Sequence, residues 1–483
     1  MSTAQVGIVI GVSGYLAVML LVGVLVSRRI RTTADYIVAG GRLGWALSVG
    51  TIFATWFGAE TCMGAANTAR TDGLLGVIAD PFGAGLCLVI AGVFLVGVLH
   101  RMRIETIVDF FELRYGRSFA LFSSWFYLPV YLGWVGAQML AFGTVLHALT
   151  GLSLTVAVTV SASVVIVYTY CGGMWADAIT DIIQMVFIVG CFLVLFAVVV
   201  ARCGGPAACF AGVPPELLRF TPASASALDW LGYAESWIIV GLGSLGAQDL
   251  ISRIMAARSV RVARWSSVGA GVLYWTLGAL PVFLGILSLK VLPPDYGGRS
   301  VLIDLSLRYL PLPLVALFVG GLLSAIMSSV DSAMLAPASI IGHNIVPYLF
   351  RSRGVDDAAQ LRICKLSVPV IGILSLAAAL WFGNIYALCL ESWTVLLTSI
   401  TAPLLLGAFW KRAGAAGAFT GAVAGTATWL LLAAAAPAGY PVKLAGFVVS
   451  TAGVVVGSLV VPGDRAPAVS AGTGECGRVC ARV

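Results

Sequence analysis

Charge is what this sequence has least of. Only 49 of its 483 residues are charged, against 60% hydrophobic residues and a mean hydropathy of +1.01. A soluble domain carries roughly 25% charged residues, so this chain has too few to cover a surface in contact with water. That argues against a soluble enzyme, a secreted disulfide scaffold and a nucleic-acid binder. Lysine is scarcer still: of Lys290, Lys365, Lys411 and Lys443, none ends a G-x-x-x-x-G-K-S/T loop, which argues against a nucleotide-driven pump. The three histidines, His100, His147 and His343, stand outside any Ser-His or H-E-x-x-H arrangement, which argues against an intramembrane hydrolase.

What the sequence has in quantity is long apolar runs. A helix needs about 20 apolar residues to cross a bilayer, and thirteen stretches qualify: 3–27, 43–70, 74–99, 119–149, 153–171, 177–201, 231–255, 261–291, 304–348, 360–381, 383–410, 413–436 and 441–462. The fold class is therefore an all-α polytopic membrane protein with about 13 transmembrane helices. The long ninth stretch predicts a turn or short extra helix near Pro311 and Pro313. No basic cluster precedes the first stretch, no A-x-A-like cleavage site closes it, and Arg28, Arg29 and Arg31 follow it. It reads as a retained helix with its N-terminus outside and the C-terminus of the chain inside. In that orientation 21 basic residues fall on the inner side and 7 on the outer, as the positive-inside rule requires. Most of the ten cysteines lie in apolar spans as small hydrophobes. Cys203 and Cys209 share the outer loop 202–230, where an oxidising exterior allows a disulfide, while Cys476 and Cys480 belong to a plain tail.

Acids inside a membrane are costly and mark ion or substrate paths. The candidates are Glu60, Asp80, Asp181, Glu235, Asp249, Asp331 and Glu391, with almost no basic residue at comparable depth. Asp181, Asp249 and Asp331 lie toward inner helix ends and read equally well as caps. Glycines punctuate two of the stretches: Gly58 and Gly64 in the second, Gly241, Gly243 and Gly246 in the seventh. Such glycines either let helices pack closely or break them near the midplane, where freed carbonyls bind an ion. On the ninth, Ser324, Ser328 and Ser332 form one helical row beside Ala325 and Ser329. Their oxygens are hard ligands suited to an alkali cation, or the serines of a helix contact.

At these residues the chain resembles the sodium:solute symporter family. The matching segments are I-F-A-T-W-F-G-A-E-T (52–61), D-F-F-E-L-R-Y-G-R (109–117), Y-C-G-G-M-W-A-D-A-I-T-D-I-I-Q (170–184), A-Q-D-L-I-S-R (247–253) and S-A-I-M-S-S-V-D-S (324–332). The resemblance implies a LeuT-type fold of two inverted five-helix repeats. The chain then divides into a first helix and inner loop (1–42), a first repeat (43–201), an outer loop (202–230), a second repeat (231–410), two peripheral helices (411–462) and an inner tail (463–483). It also implies a sodium site made by the carbonyls of Ala54, Phe57 and Ala325 and the hydroxyls of Ser328 and Ser329, with Asp181 on the inner exit route of the ion. In sugar-transporting relatives a glutamate and a glutamine touch the sugar, and their positions hold Asp80 and Thr61 here. Trp56 matches one wall of the aromatic cage of the choline-transporter branch, whereas Ala247 and Cys389 stand near the matching positions of the other cage tryptophans. Trp237, Glu235, Glu391 and Trp393 are candidates for a rearranged pocket.

The resulting expectation is a non-enzymatic, sodium-coupled symporter that imports a small organic solute such as an amino acid, sugar, amine or vitamin by alternating access. Solute is expected near Trp56, Thr61, Asp80 and Gln248. Na+ and the lipid bilayer are its other partners, with no nucleic acid and no obligatory protein partner. Proton coupling through Asp181 or Glu60 is the alternative. A membrane sensor on this fold would need an output domain, and about 20 residues after the last stretch leave no room for one. Arginine outnumbers lysine 24 to 4, which points to a GC-rich bacterial genome and hence to a bacterial plasma membrane.

Overall fold

Apolar stretches become helices because backbone in lipid must bond to itself, and glycine and proline within them decide where the helices break. A computed structural model describes residues 32–171, 173–293, 296, 300–349, 356–381, 383–437 and 439–461, with scattered positions between 7 and 25. Most of the first apolar stretch, Arg28, Arg29, Arg31, Arg299, Arg351, Arg353 and the tail 463–483 lie outside the described residues. Among those described, the regular structure is all helix, with no β-strand and one isolated bridge between Leu43 and Ala257.

A short helix, Thr33–Val38, leads into α1 (Trp45–Trp56), a π-helical turn (Glu60–Gly64) and α2 (Ala65–Asp72). There follow α3 (Leu75–Met102), α4 (Ile107–Tyr115), α5 (Arg117–Thr150), α6 (Leu154–Cys171) and α7 (Met174–Arg202). The second half runs through α8 (Ala227–Gly241), a 3-10 turn (Gly243–Gly246), α9 (Gln248–Ala256), α10 (Val260–Val291), α11 (Val301–Tyr309) and α12 (Leu312–Leu349). It ends with α13 (Asp357–Trp381), α14 (Ile385–Ser399), α15 (Thr401–Phe409), α16 (Ala415–Ala435) and α17 (Val442–Val460). Eight helices are each long and apolar enough to cross a bilayer, and two bent pairs, α8 with α9 and α14 with α15, bring the number to ten among the described residues. Length and apolarity alone thus reach a smaller number than the thirteen expected, because α1 and α6 fall short and most of the first stretch lies outside the described residues. The ninth stretch divides at Pro311 into α11 and α12.

Burial ranks the helices. The most apolar windows of α5 and α12 are 78% buried within the protein, those of α16 and α17 only 22%, so the former are central and the latter peripheral. α16 and α17 join through small residues: Gly417 and Gly421 of the first meet Gly457 and Gly453 of the second so closely that a Cβ on either of the latter would come within 3 Å of the facing Cα.

Three local features position the site. Both halves open on a broken helix, α1–α2 and α8–α9, the second bent by 55°. In the first break Phe57 leaves helical geometry at ψ 60°. Only glycine fits next to it, because a Cβ on Gly58 would lie 2.5 Å from Ser329 Oγ on α12 and 2.9 Å from Gln138 Nε2 on α5. The third feature is Asp80, extended at φ −144° and ψ 123° within α3. It precedes Pro81, and the proline ring disfavours helical geometry in the residue before it.

Candidate functional site

The break between α1 and α2 redirects backbone donors. Gly58 N–H turns to the Trp56 carbonyl at 2.8 Å and Ala59 N–H to Gln138 Oε1 at 2.9 Å, so the Ala54 and Thr55 carbonyls lose the donors a continuous helix would bring them. Facing this turn is the Ser329 hydroxyl, fully buried and without a hydrogen-bond partner among the described residues. One residue earlier, Ser328 Oγ donates to Asp181 Oδ1, and the other oxygen of that carboxylate accepts from Thr51 Oγ1 of α1. Released carbonyls, an unpaired buried hydroxyl and a neighbouring carboxylate form a donor set suited to a hard monovalent cation. The expected sodium residues Ala54, Phe57, Ala325, Ser328 and Ser329 sit on the two elements that meet here, with Asp181 beside them.

A basic residue at this depth alters the charge pattern read from the sequence. Arg253, assigned there to an inner connection, is 1% exposed. Its guanidinium reaches Asp177 Oδ2 at 2.5 Å, Asp181 Oδ2 at 3.8 Å, the Thr51 carbonyl at 3.2 Å and the Asp249 carbonyl at 3.1 Å. Ser332 Oγ also donates to Asp177, at 2.9 Å. One side chain therefore ties α9 to α1 and α7, and Asp177, noted in the sequence only as part of a motif, is its main partner.

Above this layer lies a second group of buried acids. Thr61 Oγ1 donates to Asp80 Oδ1 at 2.6 Å, and the Tyr274 hydroxyl lies 3.1 Å from Asp80 Oδ2, its single proton shared with the Trp56 carbonyl. Glu60 accepts from Trp134 Nε1 at 2.8 Å and Gln138 Nε2 at 2.5 Å. Asp249 accepts from Trp56 Nε1 at 2.9 Å and the Tyr131 hydroxyl at 2.7 Å. The Trp393 ring stacks on Trp56 at 6.4 Å between centroids and tilts against Trp134 at 5.0 Å. Trp393 stands one helical turn after Cys389 on α14, and Trp134 reaches it from α5.

Trp56, Thr61 and Asp80 come together as expected, but Gln248 does not join them. Its amide accepts from Ile107 N–H at 2.7 Å and donates to Ser252 Oγ at 2.9 Å, which turns it toward the α4 loop. Glu235 and Glu391 also lie apart. Glu235 caps α17 by accepting from Lys443 and Leu444 N–H at 2.8 and 2.9 Å, and Glu391, half exposed, pairs with Lys443 Nζ at 2.6 Å. Trp237 meets the ring of Phe220 edge-on. Cys203 and Cys209 are free thiols. The residues that sequence reading passed over, Tyr131, Trp134, Gln138 and Tyr274, lie on α5 and α10, where an aromatic or amide among apolar neighbours reads as packing.

Outside the spans, α4 carries a capping box in which Thr106 Oγ1 accepts from Asp109 N–H. Burial pushes the Asp109 carboxyl up. His343 at 3.4 Å, the Thr106 N–H and the Asn344 amide outweigh that and hold it below the usual carboxylate range. Burial holds neighbouring Glu105 above that range, with His343 only partly offsetting it.

The profile of the sodium:solute symporter family matches residues 36–425. The chain belongs to the sodium:solute symporter family. Within it, the chain is 26% identical over 388 residues to the high-affinity choline transporter 1 of Caenorhabditis elegans, covering 74% of this chain and 64% of that one, so it spans under two thirds of that relative. It is 26% identical over 440 residues to the high-affinity proline transporter PutP of Bacillus subtilis strain 168, covering 86% and 90%. Among solved structures, a substrate-bound, outward-open Na+-coupled sialic acid symporter superposes with a TM-score of 0.79 at 21% identity, covering 95% of this chain and 97% of the other. At that identity the likeness shows a shared LeuT-like fold. The relatives are transporters rather than enzymes, and this symporter-family chain is a multi-pass membrane protein.

Proposed function

We propose that the protein is a sodium-coupled symporter that carries a small organic solute inward by alternating access, through thirteen spans with the N-terminus outside and the C-terminus inside a plasma membrane. The observation that carries this is the Ser329 hydroxyl, buried and unpaired opposite the α1–α2 break. An unsatisfied buried polar group costs about 1–3 kcal/mol, and an ion held by that hydroxyl and the freed carbonyls would recover it. In this reading Na+ is bound by Ala54, Phe57, Ala325, Ser328 and Ser329 and leaves past Asp181. It braces the broken helix against α12, and solute is held near Trp56, Thr61 and Asp80. The names of the relatives, which cover choline, proline and sialic acid, support the symport class and leave the solute open.

One Na+ moving down about 100 mV supplies roughly 2.3 kcal/mol, and a tenfold concentration ratio adds about 1.4 kcal/mol. Together these sustain roughly a 500-fold gradient of a neutral solute, so one site is enough. The test is solute uptake into proteoliposomes. A sodium gradient should drive it, and replacing Ser328 and Ser329 together by alanine should raise the half-saturating sodium concentration at least about tenfold, the loss of roughly 1.4 kcal/mol of binding. Uptake driven by a pH gradient and indifferent to sodium would instead establish proton coupling.

A further inference from the structure

Six carboxylate oxygens surround the solute region, on Glu60, Asp80 and Asp249. Five of them lie within hydrogen-bond reach of one protein donor and Glu60 Oε2 of two, and every one of those donors is neutral: two indoles, an amide, the Cys389 thiol at 4.0 Å, and the hydroxyls of Thr61, Tyr131 and Tyr274. The carboxylates are therefore held in orientation by donors that bring no counter-charge. All three are 5% exposed or less, and none of them has an ion pair among the described residues. The nearest guanidinium, Arg253, directs its side-chain bonds to Asp177, Ser332 and backbone carbonyls instead. A buried charge without a partner costs several kcal/mol, so a positive ligand gains what no neutral or anionic one can.

Two further features point to an organic cation. The indole N–H edges of Trp56 and Trp134 are tied to Asp249 and Glu60, which fixes their ring planes, and the Trp393 ring lies against both. Indole faces attract ammonium groups. The unpaired Ser329 hydroxyl opens onto the Gly58 turn, where Gln138, the same side chain that holds Glu60, approaches from α5. The ion position and the acidic group thus share Gln138. Sodium at the turn offsets part of the negative charge, and the solute is left to offset more.

We infer that the solute is a small organic cation bearing N–H bonds, a protonated primary or secondary amine, held between the tryptophan faces and the carboxylates of Glu60, Asp80 and Asp249. The N–H bonds matter because five of the six carboxylate oxygens, all but Glu60 Oε2, have a free lone pair beside their one protein donor. A fully methylated ammonium would meet the rings equally well and leave those lone pairs unused. This inference rests on the symport reading above.

The test uses the full chain, purified in detergent and reconstituted. Thermal stability is measured with and without sodium against matched sets of two- to six-carbon probes: primary amines, their trimethylammonium counterparts, the corresponding alcohols and the corresponding carboxylates, beginning with ethanolamine, choline, ethylene glycol and glycolate. In sodium, at least one amine should raise the melting temperature by several degrees, its trimethylated counterpart less, and the alcohols and carboxylates not at all. Asp80→Asn and Asp249→Asn should each weaken amine binding at least about tenfold, or roughly 1.4 kcal/mol. Both variants should fold, because the facing Thr61, Tyr131 and Tyr274 hydroxyls can turn from donating to accepting. Stabilisation by carboxylates or alcohols in place of amines, trimethylated probes binding more tightly than amines, or amine affinity unchanged in both variants would overturn the inference. If sodium alone shifts the melting temperature while no amine does, this inference fails and the symport reading stands. If sodium has no effect, the symport reading fails first.

Discussion

Ser329 is the residue on which the proposed ion site turns. Its hydroxyl has no protein partner among the described residues, so in the absence of sodium it weakens the fold. Ser329→Ala should raise the melting temperature of the sodium-free protein, since leaving a buried hydroxyl unpaired costs about 1–3 kcal/mol, and should shrink the further rise that sodium produces. A sodium-induced shift equal to that of the natural protein would remove Ser329 from the site. Ser328 is expected to behave differently. It already donates to Asp181, so Ser328→Ala should lower the sodium-free melting temperature. The serine row of α12 was legible in the sequence, but the opposite status of two adjacent hydroxyls was not, because pairing depends on what faces each one across the helix contact.

At the scale of elements, the α1–α2 break depends on Gly58. In Gly58→Ala the new Cβ would lie 2.5 Å from Ser329 Oγ and 2.8 Å from its Cβ, and the second of these atoms cannot swing away. The helices must part, and sodium-driven uptake should fall at least about tenfold with the half-saturating sodium concentration raised; a sodium dependence like that of the natural protein would show that the close approach is dispensable. The element α4, outside the spans, predicts a pH dependence. The Asp109 carboxyl lies below its unfolded value, so its contribution to stability is present above roughly pH 4 and is lost as pH falls through the folded value. Asp109→Asn should therefore be less stable than the natural protein near pH 7, with the gap closing on acidification. A gap that widens toward low pH would show that other groups dominate there. The glycines at both breaks were visible in the sequence as residues that either pack closely or break a helix, and the structure shows the break. The α4 latch could not, because His343 and Asn344 reach it from more than 230 positions away.

For the whole molecule, a cationic solute changes the energetics of transport. One Na+ with one monovalent organic cation moves two charges inward, so about 100 mV supplies roughly 4.6 kcal/mol, and a tenfold sodium ratio about 1.4 kcal/mol more. The limiting solute ratio rises to roughly 10^4 from the 500-fold expected for a neutral solute. Paired measurements of charge and solute flux in proteoliposomes should give two charges per amine. A ratio of one would indicate a solute without net charge or a cycle that returns a cation. Arg253 enters at this scale as well. It binds α9, α1 and α7 together beside the acids, and in the proposed transport cycle those contacts would part before sodium leaves inward.

The sequence by itself determined the class of molecule and the serine row, and marked by glycine two places where a helix either breaks or packs closely, because membrane burial, backbone satisfaction and helical spacing are properties of local sequence. Trp56, Thr61, Asp80 and Asp181 were recognised by local motif as well. Only the tertiary structure decided which polar groups meet. It sent Gln248 to the α4 loop and Glu235 to a helix cap, brought Trp393 to both Trp56 and Trp134, and set Arg253 among the acids. Each of those pairings crosses between helices far apart in the chain, where a side chain's role depends on its facing neighbour rather than on its own segment.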